Sequence, residues 1–321
     1  MAAATPARPA LARRRSQSEP AIEVEHLQKR YGDKLVVGDV SFSVVSGEIF
    51  GILGPNGAGK TTTVEILQGL RAADGGVVRV LGLDPQHDRR ELRRRIGSQL
   101  QASALPDRLK VWEALDLFGS VMPGGGDWRT LLQRWGLADQ RDASFGDLSG
   151  GQRQRLFIAL ALLGSPEVVF LDELTQGLDP AARRVAWELI REIRDRGATV
   201  MLVTHYMDEA EQLADRLAVI DQGRVVATGS AQELIARSQE GIRIGFSTDH
   251  PDLCFLESID GVLDVTRRGA HVAVHGTGPV LALVAAALVE HAIVPTDLRV
   301  EQPTLEHAYM QIINHRTKES R

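Results

Sequence analysis

The stretch GPNGAGKTT, Gly54 to Thr62, has the spacing G-x-x-x-x-G-K-[ST]. Gly54, Gly57 and Gly59, set around Pro55, Asn56 and Ala58, let a loop turn its backbone N–H groups inward on one anion. Lys60 would reach the β- and γ-phosphates of a nucleotide and Thr61 would ligate Mg²⁺, with Thr62 following. Far downstream, the apolar run PEVVFLDE ends in Asp172 and Glu173. An acid at the end of a buried parallel strand lies at the sheet edge beside such a loop, where Asp172 would hold Mg²⁺ and Glu173 would polarise an attacking water. A third stretch, LSGGQRQRL from Leu148 to Leu156, has no nucleophile or metal cluster. It reads as a helix start made to meet an anion. Alone it asks for no more than a Ser-capped helix.

These stretches need a sheet to hold them. AIEVEHL alternates like a strand, and VVGDVSFSVVSGEIFGIL reads as a strand pair ending at Leu53. TTTVEILQGL and RRVAWELIREIRDRG read as helices, the second stopped by Gly197. ATVMLVTH is a buried strand, and RLAVIDQGRVVATG a hairpin with a Gln-Gly turn. Buried strands alternating with helices predict a mostly parallel α/β sheet. After about Arg237 the pattern becomes β-α-β-β-α-β, the order of a small ferredoxin-like unit, with PDLCFLESI as its first helix and TLEHAYMQII as a closing one. The apolar segment Val280 to Val289 is too short to span a bilayer and reads as a buried helix.

The order of phosphate loop, LSGGQ and a strand ending in DE resembles the ATP-binding cassette (ABC) family over roughly residues 22 to 235. That resemblance implies a P-loop NTPase fold of the ABC type with a helical signature subdomain. It also answers why one chain carries two phosphate-facing helix starts. In that family two subunits pack head to tail, and each signature caps the ATP held by the other. Ser149, Gly150, Gly151 and Gln152 would therefore meet the nucleotide of a second copy. The same resemblance assigns Tyr31 to stacking on adenine, Asp179 to the loop that crosses the dimer interface, and His205 to holding the γ-phosphate and water. Gln101 would sense the γ-phosphate and Mg²⁺, with Gln99 as its neighbouring competitor. Leu174 and Gln176 depart from the Pro and small residue common in the family, and neither change removes a catalytic group. Glu173, His205, Lys60 and Gln101 make up the implied catalytic set, and Thr61, Gln101 and Asp172 the implied metal set, for ATP and Mg²⁺.

With 321 residues, 43% hydrophobic and 25% charged, the composition is that of a globular chain. A net charge of −5 gives no basic field to mark a nucleic-acid binder. The single cysteine, Cys254, excludes a disulfide within the chain. No apolar run reaches the length of a membrane span, so transport would need a separate permease chain. The organisation expected is a basic tail (residues 1–21, disordered), an ATPase domain (residues 22–237) and a small accessory domain (residues 238–321). The tail could also be a transit peptide or touch anionic lipid through Arg13, Arg14 and Arg15. ASALPDRLKVWEALDLFGS fits a groove for the membrane partner and equally fits ordinary helix packing. That stretch, THYMDEAEQLADR and TLEHAY resemble the exporter ATPases of the daunorubicin and doxorubicin resistance type. The resemblance implies the cytoplasmic ATPase of a drug exporter, bound to the membrane face through its permease. The rival is a soluble mechanical ATPase acting on ribosomes or DNA, but this chain has one uninterrupted cassette and no heptad run. The accessory domain is open to three readings: ligand binding, dimer stabilisation or partner docking.

Overall fold

The computed structural model describes residues 20–99, 104–122, 127–237 and 241–319. The chain divides into two units between Thr228 and Gly229. The first unit opens with β1 (Pro20–Tyr31), β2 (Lys34–Val45), β3 (Ile49–Leu53), α1 (Lys60–Leu67) and β4 (Gly75–Val80). It continues through α2 (Arg89–Leu92), β5 (Ile96–Gln99), α3 (Val111–Val121), α4 (Trp128–Arg134) and α5 (Gly150–Ala161). It closes with β6 (Val168–Asp172), α6 (Pro180–Asp195), β7 (Thr199–Thr204), α7 (Met207–Leu213), β8 (Arg216–Asp221) and β9 (Arg224–Gly229).

Nine strands form one sheet in the order β4-β1-β2-β9-β8-β3-β7-β6-β5. The expectation of a mostly parallel sheet holds for β3, β5, β6, β7 and β8, which pair in parallel. It fails for β1, which is antiparallel to both β2 and β4. Tyr31 pairs with Lys34, leaving a two-residue turn, and a turn that short can only join antiparallel strands. The Gln-Gly turn between β8 and β9 has positive φ at both Gln222 and Gly223, as a tight hairpin turn requires.

The central strands are apolar on both faces because both are covered. Phe50, Ile52, Phe170, Met201 and Val203 join α1 and the antiparallel strands in one core cluster. Ile49, Val169, Leu171, Val200 and Leu202 join α3 to α6 in another. The helical region is thereby packed onto the sheet face opposite α1.

The second unit contains α8 (Ala231–Arg237), β10 (Ile242–Ser247), a short 3₁₀ helix (Cys254–Ser258), β11 (Val262–Arg268), β12 (His271–Gly276), α9 (Val280–Glu290), β13 (Arg299–Glu301) and α10 (Leu305–Glu319). Its four strands are antiparallel in the order β11-β12-β10-β13. PDLCFLESI forms the short helix expected, of 3₁₀ type over Cys254–Ser258. One local expectation changes here. The segment from Val280 buries only Val280, Val284 and Leu288, while Leu283 and Val289 stay exposed, so α9 covers the sheet with one face. The boundaries also shift. Pro20 and Ala21, assigned to the tail, begin β1, and α8, assigned to the ATPase domain, packs against α10.

Candidate active site

Parallel pairing decides where the chemistry collects. Leu53, ending β3, lies opposite Thr204, ending β7, and Asp172, ending β6, lies opposite Val203. The segments that follow therefore leave one edge of the sheet, where open α/β sheets take their ligands. A cleft of about 380 Å³ at that edge is lined by Asn56, Gly57, Gly59, Lys60, Thr61, Thr62, Glu173 and His205. Val36 and Gln176 complete it.

The loop from Gly54 to Gly59 runs close under the hairpin end of β8. A Cβ at Gly54 would stand 2.1 Å from the Ile220 carbonyl oxygen, so only glycine fits. No side chain caps the start of α1, which leaves its first amides free to meet an anion. The Lys60 ammonium folds back on the loop and donates to the carbonyls of Gly54 at 2.8 Å and Pro55 at 3.0 Å. Burial lowers its pKa, and the nearby charges of Glu173 and Asp172 oppose that shift.

Asp172 is 3% exposed, and its Oδ1 has no hydrogen-bond partner among the described residues. Burial, and then the charge of Glu173, push its pKa up to about 6, while Lys60 and the neighbouring Thr61 hydroxyl pull it down. A buried carboxylate oxygen with nothing to bind, beside a threonine hydroxyl, suits a hard divalent cation held by oxygen ligands. The same burial has a cost in the nucleotide-free chain. A raised carboxyl pKa contributes stability below the unfolded value and loses it as pH rises through the folded one. Asp172→Asn should therefore raise unfolding stability by about 3 kcal/mol above pH 6, with the gain fading toward pH 4. Urea unfolding across that pH range, without nucleotide or Mg²⁺, measures it.

Glu173 adopts φ 48°, the left-handed region, with its amide donating to the Val203 carbonyl at 2.9 Å. A non-glycine residue held there carries strain of about 1 kcal/mol or more. The turn brings its carboxylate to His205, whose Nδ1 lies 3.1 Å from Oε1. The sequence reading missed Glu209, which reaches the threonines near this pair in sequence, Thr204 and Thr175. Glu209 is fully buried on α7 and accepts from Trp187 Nε1 at 3.1 Å. Its signal was periodicity, since Glu209 stands one helical turn before the buried Leu213.

The remaining described site residues do not line the cleft. Ser149 caps α5, accepting from the Gln152 amide at 3.3 Å while the Gln152 side chain accepts from the Ser149 amide at 2.8 Å. Asp179 caps α6 through the amides of Ala181 and Ala182, both at 2.9 Å. The two helix starts are neighbours, because a Cβ at Gly151 would lie 3.8 Å from that of Ala182. A Cβ at Gly150 would meet nothing within 4 Å. Tyr31 is an exposed ring flanked by the cations of Lys29 and Arg71. Gln101 lies outside the described residues, and Gln99 is buried at the end of β5.

Residues 37–176 match the family model described as ABC transporter. A daunorubicin resistance ATP-binding protein of Streptomyces coeruleorubidus is 36% identical over 94% of this chain and 99% of its own length. The chain belongs to the ABC transporter family. A Nod factor export ATP-binding protein I of Burkholderia lata is 43% identical over 67% of this chain and 72% of its own length. Among solved structures, an ATP-binding subunit of an ABC transporter superposes with a TM-score of 0.62 at 28% identity, covering 68% of this chain and 92% of the other. A nucleotide-free ATP-binding cassette gives 0.61 at 25% identity, covering 68% and 94%. The fold expected from the motifs is the fold observed, and as an ABC ATPase the chain binds and hydrolyses ATP.

Proposed function

We propose that this chain powers export of a drug-like or other hydrophobic substrate through a separate membrane-spanning partner, working as an ATP-sandwiched homodimer at the cytoplasmic face. ATP-binding subunits of this family work with a permease and dimerise. One observation carries the reading. Lys60, Glu173 and His205 line one cleft, while the helix start at Ser149 lies outside it with open space at Gly150. No contact among the described residues requires glycine at 150. Close approach of a second molecule's nucleotide gives it a use.

In this reading the phosphate-loop amides and Lys60 hold the β- and γ-phosphates, Tyr31 stacks on adenine, and Glu173 orients water for attack at the γ-phosphorus. His205 holds the γ-phosphate and its water, and the partner copy's signature completes the charge-stabilising shell. Thr61 and Asp172, with Gln101, would hold Mg²⁺, which when bound neutralises phosphate charge. Closure of the dimer excludes bulk water and gates the reaction.

No helix among the described residues is long and apolar enough to cross a membrane. The partner's contact is supported by α3, where Leu117, Phe118 and Val121 are exposed. The drug-resistance relative supports the substrate class. Purification of the chain from detergent-solubilised native membranes should bring a stoichiometric multi-spanning protein with it. Ribosomal or DNA-bound partners with no membrane protein would overturn the transport reading and favour a mechanical ATPase.

A further inference from the structure

His205 is held to Glu173 by one hydrogen bond, and one contact at Nδ1 leaves the imidazole free to turn about it. A second contact fixes the ring. Successive side chains of a strand point to opposite faces, so Tyr206 would ordinarily face away from His205. The chain bends just after β7, where the Tyr206 amide donates to the Thr204 hydroxyl at 3.0 Å. The bend brings the two rings together, with centroids 4.2 Å apart and planes at 37°.

Tyr206 is itself anchored. The Arg183 guanidinium carbon lies 4.6 Å from the centre of its ring, within cation–π range. Arg183 Nε is buried with no hydrogen-bond partner among the described residues. Its Nη1 donates to Asp208 at 3.2 Å, and its amide donates to the Asp179 carbonyl at 2.9 Å. Arg183, Tyr206, His205 and Glu173 thus form a continuous chain of contacts running from the first turn of α6 into the cleft.

We propose that Tyr206 is a positioning residue for ATP hydrolysis, its ring, anchored by Arg183, holding His205 in line with Glu173. This rests on the reading in which His205 acts in turnover. Tyr206 does not line the cleft, so its loss should slow the chemical step and leave nucleotide affinity alone. The ring carries the effect, so phenylalanine should replace it.

The test uses the full chain, with ATP as the probe, in four single variants, Tyr206→Ala, Tyr206→Phe, Arg183→Met and His205→Ala, and in the double variant of Tyr206→Ala with Arg183→Met. Expected results are a fall in kcat of about tenfold for Tyr206→Ala with KM unchanged, and near wild-type rates for Tyr206→Phe. Arg183→Met should lose less, and should add little to Tyr206→Ala in the double variant, since the two act through one contact. Wild-type kcat in Tyr206→Ala, beside an inactive His205→Ala, would overturn the proposal and leave the site reading intact. Equal losses in Tyr206→Phe and Tyr206→Ala would also overturn it. Wild-type turnover in His205→Ala would remove the reading beneath it. Should Tyr206→Ala fail to fold, Arg183→Met decides: a lower kcat at constant KM supports the proposal, and an unchanged kcat rejects it.

Discussion

Glu173→Gln binds ATP normally and hydrolyses it at least about a hundredfold more slowly than the wild type; that is the first result we expect. The substitution keeps the size and the hydrogen-bonding shape of the side chain, so the turn at Glu173 and the contact with His205 can persist. What it removes is the carboxylate proposed to polarise water. The proposed binding groups, Lys60 and the amides of the phosphate loop, are untouched. Single-turnover hydrolysis and equilibrium ATP binding, measured side by side, separate the two functions. Turnover at the wild-type rate would place the base elsewhere.

The second large effect tests the site's division between two copies. Lys60→Ala removes the cation proposed to reach the phosphates, and Ser149→Arg fills the open space beside Gly150. Each variant alone should be almost inactive. Mixed in equal amounts, random pairing makes half the dimers mixed, and each mixed dimer keeps one intact pairing of loop and signature. Recovery to about a quarter of the wild-type rate is therefore expected. If Ser149 served its own cleft, mixing would restore nothing. The structure gives the reason to expect recovery, because Ser149 caps α5 outside the cleft that Lys60 lines.

Much of this site was legible in the sequence because its parts are local. The phosphate loop needs glycines at fixed offsets, and Gly54 shows why, with the Ile220 carbonyl where a Cβ would go. Asp172 and His205 could be placed at one sheet edge because apolar runs ending in polar residues read as buried parallel strands. What escaped depends on contacts distant in sequence. Glu209 meets Trp187 across α6 and α7, and Arg183 meets Tyr206 only after the chain bends beyond β7. The antiparallel half of the sheet follows from a two-residue turn that the alternation of β1 could not announce. Val280 to Val289 was uniformly apolar, so periodicity could not tell that only one face would be covered. The family resemblance supplied the proposed use of Ser149 toward a second copy; within the chain it caps α5.

The dimer is tested most directly by the solution mass of the Glu173→Gln chain, by light scattering, with and without Mg²⁺-ATP. The expected result is a shift from the 35.0 kDa monomer to twice that mass when ATP is added, abolished by Ser149→Arg in the same chain. A mass that stays at one chain length with ATP bound, or a doubling that survives Ser149→Arg, would contradict a nucleotide sandwiched between two signatures and two phosphate loops.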